Sequence, residues 1–201
     1  EVKRIGKHAQ GTIAYTTSPV HNLDTWLDLA KKIEDSGADS LAIKDMAGLL
    51  RPFDAYDLVK SLKETLSIPI HMQTHATTGM SPATNMKAIE AGIDNIDTSI
   101  SSLSMTYGHT ATETMLAIFE GKDRYLNLDL DALEEVSIFF KDIREKYSEF
   151  EGNLKGVDST MLVKQVPGGM LSNLESQLRA NKQEDKIELV IDEIPKVRKD
   201  F

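Results

Sequence analysis

Between Gly11 and Ile100 short β-rich segments recur at roughly 30-residue intervals, each followed by a helical stretch. This rhythm constrains the fold more than any other property of the chain. Gly11 to Pro19 is bounded by Gly and Pro and reads as a strand. Leu23, Trp26, Leu27, Ala30 and Ile33 then recur at helical spacing, with Asn22 placed to cap the helix and Gly37 to end it. Ser40 to Asp45 is the second strand, with Leu41 and Ile43 on one face and Ala42 and Lys44 on the other. Pro52 fits the first turn of the next helix, which carries Leu58, Leu62 and Leu66 on one side. Ile68 to Gly79 holds the third strand. Ser81 and Pro82 read as cap and first residue of a helix running to Gly92. Asn95 to Ile100 is the fourth strand, and Thr110 to Glu113 fits a capping box for a helix through Phe119.

An unbroken β-α alternation gives parallel strands with helices outside them. Four such units are half of a (β/α)8 TIM barrel, which takes about 250 residues when whole. Polar residues on the inward faces favour a barrel over an open doubly wound sheet. After Gly121 the rhythm changes. Leu133, Val136, Phe140, Ile143 and Tyr147 mark a long helix, Gly152 to Gly169 reads as irregular, and helical stretches follow near Leu174 to Ala180 and Ile187 to Arg198. The expected organisation is residues 1–121 as half a barrel and residues 122–201 as a helical extension that is itself truncated. Glu1 to Gln10 reads as the tail of an element that begins elsewhere. Half a barrel leaves two open parallel edges, so these residues alone are expected to aggregate or to need a partner.

The net charge of −9 argues against nucleic acid as the main partner, because phosphate binding needs surplus Lys and Arg. No run of about 18 apolar residues is present to span a membrane, and no signal-peptide pattern opens the chain. With no cysteine, disulfides and thiolate metal sites are excluded, so a metal must use His, carboxylate, amide or a modified Lys. A cytoplasmic location is expected from these absences.

The third strand carries the most chemistry. Ile68, Ile70 and Met72 share one face, and His71, Gln73 and His75 the other. Burying three such polar groups without partners costs kilocalories each. His75 and Lys44 fall at the C-terminal ends of adjacent strands, where barrel active sites lie. For His75, ligand or catalyst and structural hydrogen bonding stand about even. His71 lies deeper and reads as structural, and Gln73 as a hydrogen-bonding group or an amide donor to a metal. Lys44, entering a barrel, must be paired, neutral or chemically altered, and an ion pair is the simplest choice. Asp45 faces away and can cap the following loop. Asp97 and Ser99 either line the same cavity or bond along the ladder edge. His109 sits in the loop after the last strand, where a lone histidine is ordinarily solvated. Gly168 and Gly169 allow a turn that other residues forbid, and Ser172 follows.

The strings HAQGTIAYTTSPVH, AIKDMAGLL, THATTGM, AIEAGIDNIDTSISSLS, YGHTATE and QVPGGMLSNLESQL together resemble the carboxyltransferase domain of biotin-dependent enzymes. That group includes oxaloacetate decarboxylase (its α chain), the B-type chain of pyruvate carboxylase and the 5S chain of transcarboxylase. The resemblance covers essentially the whole chain. It implies the C-terminal half of a TIM barrel with a helical extension. It also implies a divalent metal (Zn, Mn, Co or Mg) held by an Asp after the first barrel strand, a carbamylated Lys and an H-x-H pair. The Lys falls on Lys44 and the second His on His75. The first His position is Gln73, and His71 lies two residues too early to replace it. The Asp has no counterpart in these residues. Ser172 occupies the place of the hydroxyl that passes a proton to biotin, beside Gly168 and Gly169.

The reaction implied is carboxyl transfer between oxaloacetate or pyruvate and carboxybiotin. The biotin would be attached to a separate carrier domain or subunit, since no A-M-K-M attachment motif occurs here. Homodimerisation and, for a decarboxylase, membrane decarboxylase subunits are further implied partners. Two rival readings remain at this point. One is a condensing enzyme related to homocitrate synthase, against which PGGMLSNL and TSPVH argue. The other is a non-catalytic, metal-poor homologue, motivated by Gln73.

Overall fold

The computed structural model describes residues 1–152, 154–159, 161–164 and 168–200. Four parallel strands, β1 (Gln10–Ala14), β2 (Ser40–Asp45), β3 (Ile70–Thr74) and β4 (Asn95–Ile96), form one sheet in sequence order. Helices α1 (Leu23–Asp35), α2 (Pro52–Thr65), α3 (Ser81–Glu90) and α4 (Thr112–Phe119) follow the strands in turn. The alternation read from the sequence is therefore a partial α/β barrel.

The strand parity decides which face is which. Ile13, Leu41, Ile43, Ile70 and Met72 point to the helices and join Trp26, Ala30, Leu58, Val59, Leu62 and Ala88 in one buried core. Leu41, Ile43, Leu62, Ile70 and Met72 are completely enclosed, and each such side chain contributes about 1.5–3 kcal/mol by leaving water. The opposite face is polar, and the register lines it up in layers. Thr12, Ala42, His71 and Asn95 are successive partners across the sheet, and Ala14, Lys44 and Gln73 form the next layer toward the strand ends.

Local signals account for most element ends. The Asn22 carboxamide oxygen accepts from Thr25 N at 3.0 Å, and Gly37 takes a φ of +90° just beyond α1. Other expectations change. β1 stops at Ala14, and Ser18 bridges back to His21 instead of extending the strand. β3 occupies only Ile70–Thr74, because Pro69 has no N–H to pair and Ala76 N leaves the ladder to bond Gly108 O at 2.8 Å. β4 pairs at two residues, after which Ser99 meets only Ala111.

Ser81 does not cap α3. It is the first helical residue, and its hydroxyl bonds Thr110 Oγ1 at 2.6 Å and donates to the Thr74 carbonyl at 3.2 Å. The capping box at Thr110 is likewise absent. Thr110 is spent on Ser81, and the Glu113 carboxylate accepts from Ser101 N at 3.1 and 3.0 Å.

The helical extension comprises α5 (Leu130–Lys146), α6 (Met161–Lys164), α7 (Gly168–Ala180) and α8 (Ile187–Asp200). Asp129 caps α5 through Asp131 N and Ala132 N. α7 begins at Gly168, so Gly168 and Gly169 open a helix instead of forming an irregular loop. The first turn has no intrahelical partner for its N–H groups, and glycine costs little there. The extension lies over the C-terminal ends of the strands. Arg144 Nη1 donates to Ser102 O at 2.8 Å, Asp158 N donates to Thr77 O at 2.8 Å, and Val157 stands against Gly79. Among the described residues no helix is long and apolar enough to cross a membrane.

Candidate active site at the barrel mouth

Lys44, Gln73, His75 and His109 come together at the C-terminal end of the sheet. Lys44 and Gln73 are direct partners in the β2–β3 ladder, about 4.8 Å apart along the backbone. Lys44 is half-buried, and among the described residues its ammonium has no hydrogen bond or ion pair. The simple ion pair expected from the sequence is not formed among the described residues. A half-buried cation without a counter-ion is costly as plain structure.

His75 follows β3 directly, its backbone N–H continuing the ladder to Asp45 O at 3.0 Å. Its ring Nδ1 lies 2.6 Å from the Tyr107 carbonyl. A carbonyl can only accept, so Nδ1 carries the proton and Nε2 is left with its lone pair. Burial pushes the His75 pKa below the ordinary histidine value, outweighing the Tyr107 carbonyl, and the nearby His109 and Lys44 act in the same direction as burial. The ring is thus a neutral imidazole of fixed tautomer, the state in which histidine binds a metal.

His109 is not a solvated loop histidine. It is half-buried, its Nδ1 donates to the Thr74 carbonyl at 3.1 Å, and its Nε2 lies 3.4 Å from Gln73 Nε2. Its ring centroid is 4.7 Å from that of His75. The two loops that carry these rings are joined through Ala76 N to Gly108 O at 2.8 Å. Sequence spacing gives no sign of this, because the contact depends on which loops meet.

Asp45 behaves as its parity suggests. It is completely buried on the helix side, and its carboxylate accepts from Leu49 N (2.8 Å), Leu50 N (2.9 Å) and Thr74 Oγ1 (3.0 Å). Burial nevertheless raises its pKa above the usual carboxylate value. Within the loop it holds, Gly48 has φ +66°, and a Cβ there would stand 2.7 Å from the His75 carbonyl oxygen. Only glycine lets this loop pass so close to His75.

One layer deeper, His71 Nε2 bonds Asp97 Oδ1 at 2.7 Å, and Gln10 Nε2 lies 3.4 Å from His71 Nδ1. His71 is therefore engaged in a polar network away from the mouth, and Asp97 faces it from the inward side. Ser99 follows the ladder reading, its backbone pairing with Thr110 O at 3.0 Å and Thr112 N at 2.8 Å. The Thr77 hydroxyl, two residues past His75, is buried without a partner among the described residues.

The helix that starts at Gly168 reaches this region. Tyr107, whose carbonyl holds His75, has its phenol pKa raised by burial and then by the charge of Glu175 on α7. A cavity of about 270 Å³ lined by Leu103, Tyr107, Arg144 and Leu154 separates the mouth loops from the extension. The Ser172 side chain and the surroundings of Gly168 and Gly169 lie outside the described residues.

Among the described residues no three His, Cys, Asp or Glu side chains converge on one point where an ion could sit. The donors available at the mouth are the His75 Nε2 lone pair, the Gln73 amide oxygen, His109 Nε2 and the Lys44 amine, which becomes a carboxylate donor if carbamylated. Lys44, without a partner among the described residues, would fit a divalent metal once carbamylated, beside a neutral imidazole of set tautomer.

Comparison with known proteins agrees with this architecture. Residues 2–139 match the HMGL-like family, and residues 161–201 match a conserved carboxylase domain. The methylmalonyl-CoA carboxyltransferase 5S subunit of Propionibacterium freudenreichii is 50% identical over 200 residues, covering 98% of this chain and 39% of that protein. A pyruvate carboxylase chain (the B-type one) of Methanocaldococcus jannaschii is 48% identical, covering 99% of this chain and 35% of that protein. The chain therefore spans less than two-fifths of the length of these relatives. The carboxyl transferase domain of Rhizobium etli pyruvate carboxylase, solved with pyruvate, superposes with a TM-score of 0.91 at 32% identity, covering 96% of this chain and 34% of that one. The chain belongs to the HMGL-like family, as a partial barrel of the carboxyltransferase-domain type found in biotin-dependent carboxylases.

Proposed function

We propose that this chain carries part of a carboxyltransferase centre that moves a carboxyl group between oxaloacetate or pyruvate and biotin on a separate carrier. The observation that carries the proposal is the juxtaposition at the barrel mouth of Lys44 with His75, where, among the described residues, the Lys44 ammonium has no partner and His75 Nε2 accepts no bond. Lys44, as a carbamate, and His75 would hold a divalent metal, Zn, Mn, Co or Mg, with the Gln73 amide oxygen as a weaker donor. Such an ion would polarise the carbonyl of the 2-oxo acid and stabilise the negative charge that develops on its oxygen.

The chain's own residues prepare the site. Tyr107 O fixes the His75 ring, Asp45 holds the loop that passes beneath it, and the extension packs against the loop that follows His75 through Val157 and Asp158. Ser172 would carry the proton to and from biotin, with Gly168 and Gly169 allowing close approach of the biotin ring. Residues 1–121 would form the barrel part and residues 122–201 the extension. The partners we infer are a biotinylated carrier domain or subunit, a second copy of the chain in a homodimer and, for a decarboxylase, membrane subunits. The location we infer is cytoplasmic. The relatives reported above are carboxylases and a carboxyltransferase, which favours this reading over a condensing enzyme.

The test uses the full-length protein with free biotin and oxaloacetate. Biotin-dependent decarboxylation should be lost in Lys44→Ala and His75→Ala and reduced in Ser172→Ala. The intact protein should contain stoichiometric metal, and the Lys44 peptide should gain the mass of one CO2. Gln73 motivates a second reading, a metal-poor homologue without catalysis. Absence of metal, of the added mass and of biotin-dependent turnover together would establish that reading and overturn the first.

A further inference from the structure

We propose that His109 supplies the second imidazole donor of the metal site, in the role that Gln73 is too weak to fill. The inference rests on the metal-site reading above and concerns which residues complete it. Gln73 occupies the inward position beside Lys44, where its amide offers a poorer donor than an imidazole. His109 brings an imidazole to that same place from the neighbouring loop, its Nε2 only 3.4 Å from the Gln73 amide nitrogen.

His109 is prepared in the same way as His75. Each ring donates Nδ1–H to a backbone carbonyl, His75 to Tyr107 at 2.6 Å and His109 to Thr74 at 3.1 Å. The bonds are reciprocal, since each histidine is held by the segment that carries the other. A second ring nitrogen bonded to a backbone carbonyl is the usual support of a metal-binding histidine, because it fixes the tautomer and aims the free nitrogen.

The ring separation is also compatible with a shared ion. Two imidazoles bound through Nε2 at about 2.1 Å, with an N–metal–N angle of roughly 90–110°, have centroids about 4.6–5.3 Å apart. The observed separation is 4.7 Å. In the arrangement described, the Gln73 amide lies beside the His109 lone pair. A rotation about the Gln73 side chain would free that lone pair without moving either loop.

The experiment compares His109→Asn, His75→Ala and the exchange Q73H/H109Q in the full-length protein. Asn places its amide nitrogen where His Nδ1 stands, so H109N keeps a donor for the Thr74 carbonyl and deletes only Nε2. Mn(II) binding is titrated on metal-free protein, and pulsed EPR of the Mn(II) form, with 15N-histidine, counts coupled imidazole nitrogens. We expect two coupled imidazoles in the parent and one in H109N. A supporting residue alone is worth about 10–100-fold in metal affinity, so loss of this donor should cost about 100-fold or more. The Q73H/H109Q exchange should return affinity to within about tenfold of the parent and restore the second coupling.

If H109N leaves Mn(II) affinity and both couplings unchanged while H75A loses binding, His109 is not a ligand and the metal-site reading survives. If H75A also leaves binding unchanged, the metal-site reading itself falls, and this inference with it. Should H109N prove poorly folded by circular dichroism, the coupling count in the parent and in the exchange variant decides the matter.

Discussion

Asp45 gives the sharpest test of how the helix-side core supports the polar mouth. Its carboxylate is fully enclosed and accepts three bonds, from Leu49 N, Leu50 N and Thr74 Oγ1. In Asp45→Ala all three donors are left without a partner, and each buried unsatisfied donor costs about 1–3 kcal/mol. Some water entry will reduce the sum, so a net loss of about 3–5 kcal/mol is expected. Asp45→Asn keeps one acceptor and turns an amide N–H toward the Leu50 N–H, which should cost about 1–3 kcal/mol.

The effect should be local before it is global, because the three bonds pin the loop at residues 46–50 beneath His75. Hydrogen exchange with mass spectrometry on a peptide spanning residues 46–51 reads this directly in the full-length protein. A local loss of about 3 kcal/mol corresponds to roughly hundredfold faster exchange at Leu49 and Leu50. The pH dependence adds a second arm. Burial raises the Asp45 pKa above its unfolded value, so the folded state binds more protons through that window. This group's contribution to stability is therefore fully present below the unfolded pKa of about 3.9 and falls as pH rises through the folded value. Asp45→Asn should remove that slope. Unchanged exchange at Leu49 and Leu50 in both variants would refute the assignment of Asp45 as the clamp of this loop.

Four further outcomes are expected. Gly48→Ala forces a side chain into φ +66° and within 2.7 Å of His75 O, so it should displace His75 and lower Mn(II) affinity together with the melting temperature; an unchanged affinity would separate the loop from the site. Thr77→Val replaces a buried hydroxyl that has no partner among the described residues and should be neutral or stabilise by about 1 kcal/mol in a urea melt; a clear loss would mean that the hydroxyl has work at the mouth. The Asp94 carboxylate is pushed up by burial but held below the usual value by Lys63 and Ile70 N. Its stabilisation is present above the unfolded pKa and fades as pH falls through the folded one, so Asp94→Asn should cost about 1 kcal/mol at pH 7, after screening by water, and less at low pH. Finally, the 201 residues expressed alone should aggregate through the edges at β1 and β4, and a monomer that melts cooperatively would contradict this.

Some features are readable from the sequence and others are not, and the division has a physical basis. Strand parity is readable because it depends only on neighbours two residues apart. Ile70 and Met72 have to turn toward helices, and His71 and Gln73 therefore toward the interior. The Asn22 cap and the Gly37 terminus are readable for the same reason. Ser81 and Thr110 mislead because each matches a local capping pattern, whereas in the fold they bond each other across 29 residues. Lys44 reads as an ion pair because that is the commonest fate of an inward lysine, and His109 reads as solvated because a loop position carries no periodicity. Apart from Gly168 and Gly169 in the extension, the residues at which local rules fail cluster. Ser81, Thr110, Lys44 and His109 all lie at the ends of β2, β3 and β4 or in the segments that follow them, at the C-terminal mouth. A chain whose local preferences agree with its fold almost everywhere, and give way together at one end of the sheet, has had that end shaped by something other than stability. Among the described residues the Lys44 ammonium and the buried Thr77 hydroxyl both lack a partner, and they lie in the same region. A group that binds at the mouth would offset their cost, and the proposed donor set of two preset imidazoles and a carbamylated lysine would suit a divalent cation.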